Sequence, residues 1–180
     1  MTRDNLHQES QSGHSSQALL TTLPVDVWGA TDRGREREGN EDAVYPHSDV
    51  SEDVFEPSTR HVSQKGLLIV VADGVGGAHA GSQASRWAIR VGVETYYEQT
   101  GPNIGENLRL AIERANTSLY HYLQSTGTPH AGSTMTAAVI HDHRLHIANV
   151  GDSRAYLLRD GQINQLTRDH TLTQQKLDRG

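Results

Sequence analysis

Residues 66–72, Gly-Leu-Leu-Ile-Val-Val-Ala, are apolar at both parities and rich in branched side chains, and they run straight into Asp73-Gly74-Val75-Gly76-Gly77. Such a run predicts a strand in the middle of a sheet, covered on both faces. It also fixes a carboxylate at the strand's exit. The glycines behind it let the backbone turn sharply and aim carbonyls at a hard cation such as Mg²⁺ or Mn²⁺. Taken alone, an Asp-Gly pair serves equally well as a turn that ends a strand. A dinucleotide-binding turn fits poorly: counted from Gly74 and Gly76, the third glycine position falls on His79, no Walker lysine follows, and Asp73 would oppose a pyrophosphate.

Around this segment the pattern is α+β. Residues 25–30 alternate with period two, predicting a first strand, and residues 42–46 a second. Residues 81–99 predict a helix with Ala84, Ala88, Val91 and Thr95 on one stripe. Residues 102–124 predict another, with Ile104, Leu108, Ala111, Ile112, Ala115, Leu119 and Leu123 together. Four strands then follow at 133–141, 144–150, 153–159 and 162–166, with Asp142-His143 and Asp160-Gly161 as turn pairs. They read as an antiparallel meander. A last helix starts near Thr173. Residues 1–23 are polar without hydrophobic period and predict a disordered tail, and residues 47–66 predict a mobile surface insertion in a domain spanning 24–180. Strands, two adjacent helices and more strands suggest antiparallel sheets with helices on one face. The meander leaves sheet edges and an apolar face without a partner, so the domain looks unfinished.

Composition narrows the chemistry. With no cysteine in the chain, disulfides, thiolate zinc sites and cysteine nucleophiles are excluded together, and a metal must be held by oxygen or imidazole. The 16 Lys and Arg against 22 Asp and Glu give a net charge of −6, the wrong sign for a nucleic-acid or anionic-membrane binder. The longest apolar run, residues 67–72, is far short of the roughly 20 that cross a bilayer, and the N-terminus has no secretory pattern. A cytoplasmic protein is expected.

Two further clusters could carry chemistry. Arg37-Glu38-Gly39-Asn40-Glu41-Asp42 sets a guanidinium, a bidentate phosphate fork, beside carboxylates that can hold metals or their waters. It reads equally as a solvated charged turn. Gly151-Asp152-Ser153-Arg154 lies between predicted strands, where Asp152 is either a turn former or a ligand. His141, His143 and His146 crowd one hairpin, yet strand parity turns the first two and the third to opposite faces, which disfavours a zinc site. Tyr96, Tyr97, Tyr120 and Tyr122 are expected to pack, without a functional part.

Five motifs occur in order: Arg37 with Asn40-Glu41-Asp42, Val71-Ala72-Asp73-Gly74-x-Gly76-Gly77, Gly132-Ser133-Thr134, Asn149-Val150-Gly151-Asp152-Ser153-Arg154, and Thr167-Arg168-Asp169-His170. Together they resemble the PP2C (PPM) metal-dependent serine/threonine protein phosphatases of bacterial type, from about Val27 to the C-terminus. The resemblance implies a sandwich of two antiparallel sheets flanked by helix pairs (α-β-β-α). It implies two Mn²⁺ or Mg²⁺ ions bridged by a water at one edge, with the Asp73 carboxylate bridging the ions and the Gly74 carbonyl binding one. It places Glu41 and Asp42 on metal-bound waters, Arg37 on the phosphate, and Asp152 at a weaker third metal.

The activity implied is dephosphorylation of phosphoserine and phosphothreonine proteins by a metal-activated water, in a monomer opposing a bacterial Ser/Thr kinase, with no nucleic-acid or membrane partner. Two departures stand out. Val75 occupies the place where animal members of the family carry a histidine thought to protonate the leaving group, and His79 is not assigned that role. The chain also stops before two further metal-binding aspartates of the family. A truncated phosphatase, incomplete in its fold, with weak metal binding and little turnover is therefore expected. A noncatalytic remnant that binds phosphopeptides through Arg37 is the alternative.

Overall fold

The computed structural model describes residues 25–46 and 64–179. The tail expected over 1–23 lies outside them, as do residues 47–63 of the expected insertion. The elements run β1 (Asp42–Tyr45), β2 (Leu67–Val75), α1 (Ala78–Glu98), α2 (Ile104–Ser125), β3 (Gly132–Ser133), β4 (Met135–His141), β5 (Arg144–Val150), β6 (Tyr156–Arg159), β7 (Gln162–Gln165) and α3 (Leu172–Arg179). A five-stranded sheet has the order β1-β2-β4-β5, with β3 also paired to β2. Every pairing is antiparallel.

Period-two alternation along β2 decides what faces the helices. Leu68, Val70 and Ala72 are buried against Ile89, Val93, Tyr96 and Tyr97 of α1 and Leu108 and Ala111 of α2. Leu67, Ile69, Val71 and Asp73 point to the opposite face, where Val71 stays 42% exposed. The expectation of cover on both faces is corrected among the described residues: only one face is under helices. Truncating one of the fully buried side chains, such as Ile89, would cost about 2–5 kcal/mol.

Helix α2 begins where its sequence says it should. The Asn103 side chain accepts from the Glu106 backbone N–H at 3.0 Å, capping one free donor, and Glu106 places negative charge in the first turn. Its buried stripe is the expected one, with Asn107 added and Ile112 only half-buried. On α1 the stripe differs. The buried face comprises Gly81, Ala84, Ser85, Ala88, Ile89, Gly92, Val93, Tyr96 and Tyr97, while Val91 and Thr95 are half-buried. A helix wedged between a sheet and a second helix needs a face wider than a single i, i+4 row.

Three expectations fail for local reasons. Residues 25–30 form no strand: Trp28 is 86% exposed, and the segment passes β1 with Gly29 against Val44 without ladder pairing. Period two without a pairing partner leaves irregular chain. The Asp73-Gly74 pair does not end its strand, because β2 continues to Val75 by pairing with β3. The meander is also broken. β4–β5 closes through Asp142 and His143, both at positive φ, and β6–β7 closes through Asp160 and Gly161 in the same way, but β6 and β7 form a separate two-stranded sheet. Such turns match the twist of a tight hairpin. Between the two hairpins, Gly151 at φ 100° takes the chain out of the sheet.

Candidate metal centre

The site grows out of the β1–β2 ladder. In its register Asp42 faces Asp73 and Ala43 faces Ala72, so the alanines enter the core and the two carboxylates share the opposite face. Behind them, the Gly74 N–H donates to the Glu41 carbonyl at 3.1 Å, and the buried Ser85 hydroxyl donates to the same carbonyl at 2.6 Å. The Glu41 side chain lies over the first turn of α1, close against Gly81. Glu41, Asp42, Asp73 and the Gly74 backbone are thereby gathered by three elements.

Electrostatics marks the acidic pair. Partial burial, then the charge of Asp73 and a hydrogen bond with it, pushes the Asp42 carboxyl above its ordinary value, with Arg37 pulling the other way. Two carboxylates in contact with one guanidinium near them repel each other, and a hard divalent cation relieves that repulsion. A test follows. Asp42→Asn should raise the thermal midpoint of the metal-free chain, since it removes one of two opposed charges, and saturating Mn²⁺ should shrink the gap. A lower midpoint without metal would show that the pair is not repulsive.

Asp152 is exposed in the loop after β5, and among the described residues no group of three or more His, Asp or Glu side chains is placed to hold a metal. Neither Glu41 nor Asp152 therefore completes a cluster with Asp42 and Asp73. The donors fit a divalent ion in kind, being all hard oxygen. In number they fall short of the six that Mg²⁺ demands. His79, exposed on the first turn of α1, accepts from the Gln83 side-chain amide at 3.3 Å.

Motif recognition does not reveal what holds the site from behind. The Asp73 N–H donates to the Thr134 hydroxyl at 2.9 Å, and the Thr134 hydroxyl meets that of Ser153 at 2.8 Å. Asn149 donates to the carbonyls of Gly151 and Arg168, and the His170 N–H donates to the Gly151 carbonyl. Arg154 clamps Asp169 with Nε at 2.9 Å and Nη2 at 2.5 Å. That bidentate bond holds the Asp169 carboxyl below its usual range. The motif strings thus knit to each other, a fact that spacing along the chain cannot display.

Fold and site define an α+β protein in which two carboxylates face each other across one strand pairing. The family model described as protein phosphatase 2C matches residues 51–176, and the chain belongs to that family. Over 155 residues it is 36% identical to the serine/threonine phosphatase stp of Listeria monocytogenes, which covers 83% of this chain and 56% of the relative. Over 160 residues it is 31% identical to the serine/threonine protein phosphatase PstP of Mycobacterium tuberculosis, covering 88% of this chain and 28% of that one. The solved catalytic domain of PstP in complex with 2 manganese ions matches with a TM-score of 0.66 and 31% identity, covering 84% of this chain and 58% of that one. The chain spans about half the length of the stp relative and of the PstP catalytic domain. Among the described residues no helix is long and apolar enough to cross a membrane.

Proposed function

We propose that residues 24–180 are the N-terminal part of a phosphatase domain that removes phosphate from phosphoserine and phosphothreonine proteins. The reading rests on one observation above the rest: the Asp42–Asp73 pair, set in ladder register within range of the Arg37 charge, in a chain of the 2C family. Asp73 and the Gly74 carbonyl would hold a divalent Mn²⁺ or Mg²⁺ pair, with Glu41 and Asp42 on its waters and Asp152 at a third position. Bound there, two divalent ions acidify water and offset charge on a transferring phosphoryl group. Arg37 forks the phosphate oxygens and orients the ester. With no cysteine in the chain a cysteinyl nucleophile is excluded; the attacking oxygen would be that of water, and the leaving alkoxide would take its proton from water, with no role assigned to His79.

A second reading is favoured by the short donor set: a module that binds phosphopeptides through Arg37 without turning them over. One assay separates them. The first reading expects phosphate release from a phosphothreonine peptide with Mn²⁺ and none with EDTA. It expects Arg37→Ala to lose about 1.5–3 kcal/mol of phosphate contact, a roughly 10- to 100-fold rise in KM. Peptide binding that needs Arg37, with no release at any metal concentration, would establish the second instead. The substrates on the first reading are targets of a bacterial Ser/Thr kinase.

A further inference from the structure

The ladder between β2 and the β3–β4 segment carries an irregularity at the candidate site. Val71 faces Thr136 and Gly74 faces Ser133, so with no residue inserted Asp73 faces Thr134. One bond of that pair is ordinary, the Thr134 N–H donating to the Asp73 carbonyl at 2.8 Å. The reciprocal one is not. In a regular antiparallel pair the two residues exchange both backbone bonds. Here the Asp73 N–H turns instead to the Thr134 hydroxyl oxygen at 2.9 Å, while the Thr134 carbonyl accepts from the Ser133 hydroxyl at 2.8 Å.

A hydroxyl that accepts from Asp73 still has its own proton to donate, and Ser153 Oγ lies 2.8 Å away. Ser153 directly follows Asp152. The same loop is held from its other side by Thr136, whose hydroxyl lies 2.6 Å from Asn149 Oδ1 and 3.0 Å from the Ser153 carbonyl. Shape adds to this. A Cβ built on Gly151, which sits at φ 100°, would fall 2.6 Å from Thr134 Cγ2, so the loop can rest on Thr134 only as glycine. Thr134 touches Asp73 through its amide and hydroxyl, Ser153 through its hydroxyl, and Gly151 through its methyl.

We propose that Thr134 is a positioning residue that couples the Asp73 strand end to the Gly151–Ser153 loop, setting where Asp73 and Asp152 stand relative to each other. The proposal rests on the metal reading for its effect on ions, and on geometry alone for the coupling. Groups that orient metal ligands typically govern metal affinity 10- to 100-fold when removed.

The test uses the 180-residue chain with Thr134→Val, which keeps the shape and loses the hydroxyl, Thr134→Ser, which keeps the hydroxyl, and Asp73→Asn. Mn²⁺ binding is read from the EPR signal of the free ion, and amide exchange is followed at Asp73 and residues 151–154. The expected result is roughly 10-fold weaker Mn²⁺ binding and faster exchange at both places in Thr134→Val, with Thr134→Ser close to the parent in both. Unchanged exchange at 151–154 in Thr134→Val overturns the proposal whatever the ion does. So does a Thr134→Ser that loses as much as the valine variant, since the retained hydroxyl would then preserve nothing and packing at this position would account for both. If the parent chain binds no Mn²⁺, or Asp73→Asn binds it equally, the metal reading fails, and the exchange pattern alone decides the coupling.

Discussion

On the proposed phosphatase reading, Asp73→Asn should lower Mn²⁺-dependent phosphate release by about three orders of magnitude with the fold untouched. Amide for carboxylate preserves shape. The bonds that fix this position are made by the backbone: N–H to the Thr134 hydroxyl at 2.9 Å, and C=O from the Thr134 N–H at 2.8 Å. The carboxylate's own bond is to Asp42 opposite, and an amide can donate there in its place. Removing its charge also relieves Asp42 opposite, so thermal stability should hold or rise. What disappears is the anionic anchor for a divalent ion, whose electrostatic contribution to phosphoryl transfer is several kcal/mol. A loss of about 4 kcal/mol corresponds to roughly a thousandfold. Phosphate release from a phosphothreonine peptide and a thermal melt on the same sample check the pair of outcomes. Undiminished release would remove Asp73 from the metal assignment.

The acidic half of the site was readable because it is local. Glu41 and Asp42 are neighbours in sequence, Asp73 and Gly74 are neighbours, and one strand pairing joins the two couples. Asp152 was readable only as a member of a familiar string, and it stands exposed in the loop after β5. Thr134 belongs to a motif that by itself gives it no role. Its importance comes from a bond to a residue 61 positions away, made with the atom a regular ladder would not have used. No periodicity encodes that substitution.

For the fold, signals complete within one hairpin or one helix stripe were sound. β5 spans the expected residues 144–150, both expected hairpin turns form, and α2 buries nearly its whole expected stripe. Errors arose where the outcome depended on a neighbour. Residues 25–30 alternate correctly and still lack a partner strand. The β5–β6 connection parts because Gly151 packs on Thr134, which only the fold puts in its way. The open face of β2 is apolar by sequence, and among the described residues no helix covers it, which leaves Val71 42% exposed. Leu158 and Ile163 in the second hairpin, 71% and 70% exposed, carry the same signal.

Gly74→Ala should be the most damaging glycine-to-alanine change among the described residues. A Cβ there would stand 2.0 Å from the Gly81 carbonyl oxygen, 2.5 Å from its carbon and 2.8 Å from the Glu41 carbonyl oxygen. All three are backbone atoms, so no side-chain rotation gives relief. Gly81 is itself tied to the Gly77 carbonyl at 2.8 Å in the first turn of α1, and Glu41 is tied to Gly74 and Ser85. The helix start must therefore lift away from β2, opening the core where Ala72 and Ala84 are fully buried. Overpacking of this kind costs about 3 kcal/mol, and for a chain of this length that lowers the midpoint by roughly 6–12 °C. Gly161→Ala is the control: φ is +73° there, but nothing lies within 4 Å, so backbone strain of about 1 kcal/mol is the whole effect. Denaturant melts of both variants measure the difference. Equal losses would mean that β2 and α1 are not in the close contact on which the placement of Glu41 beside Asp73 depends.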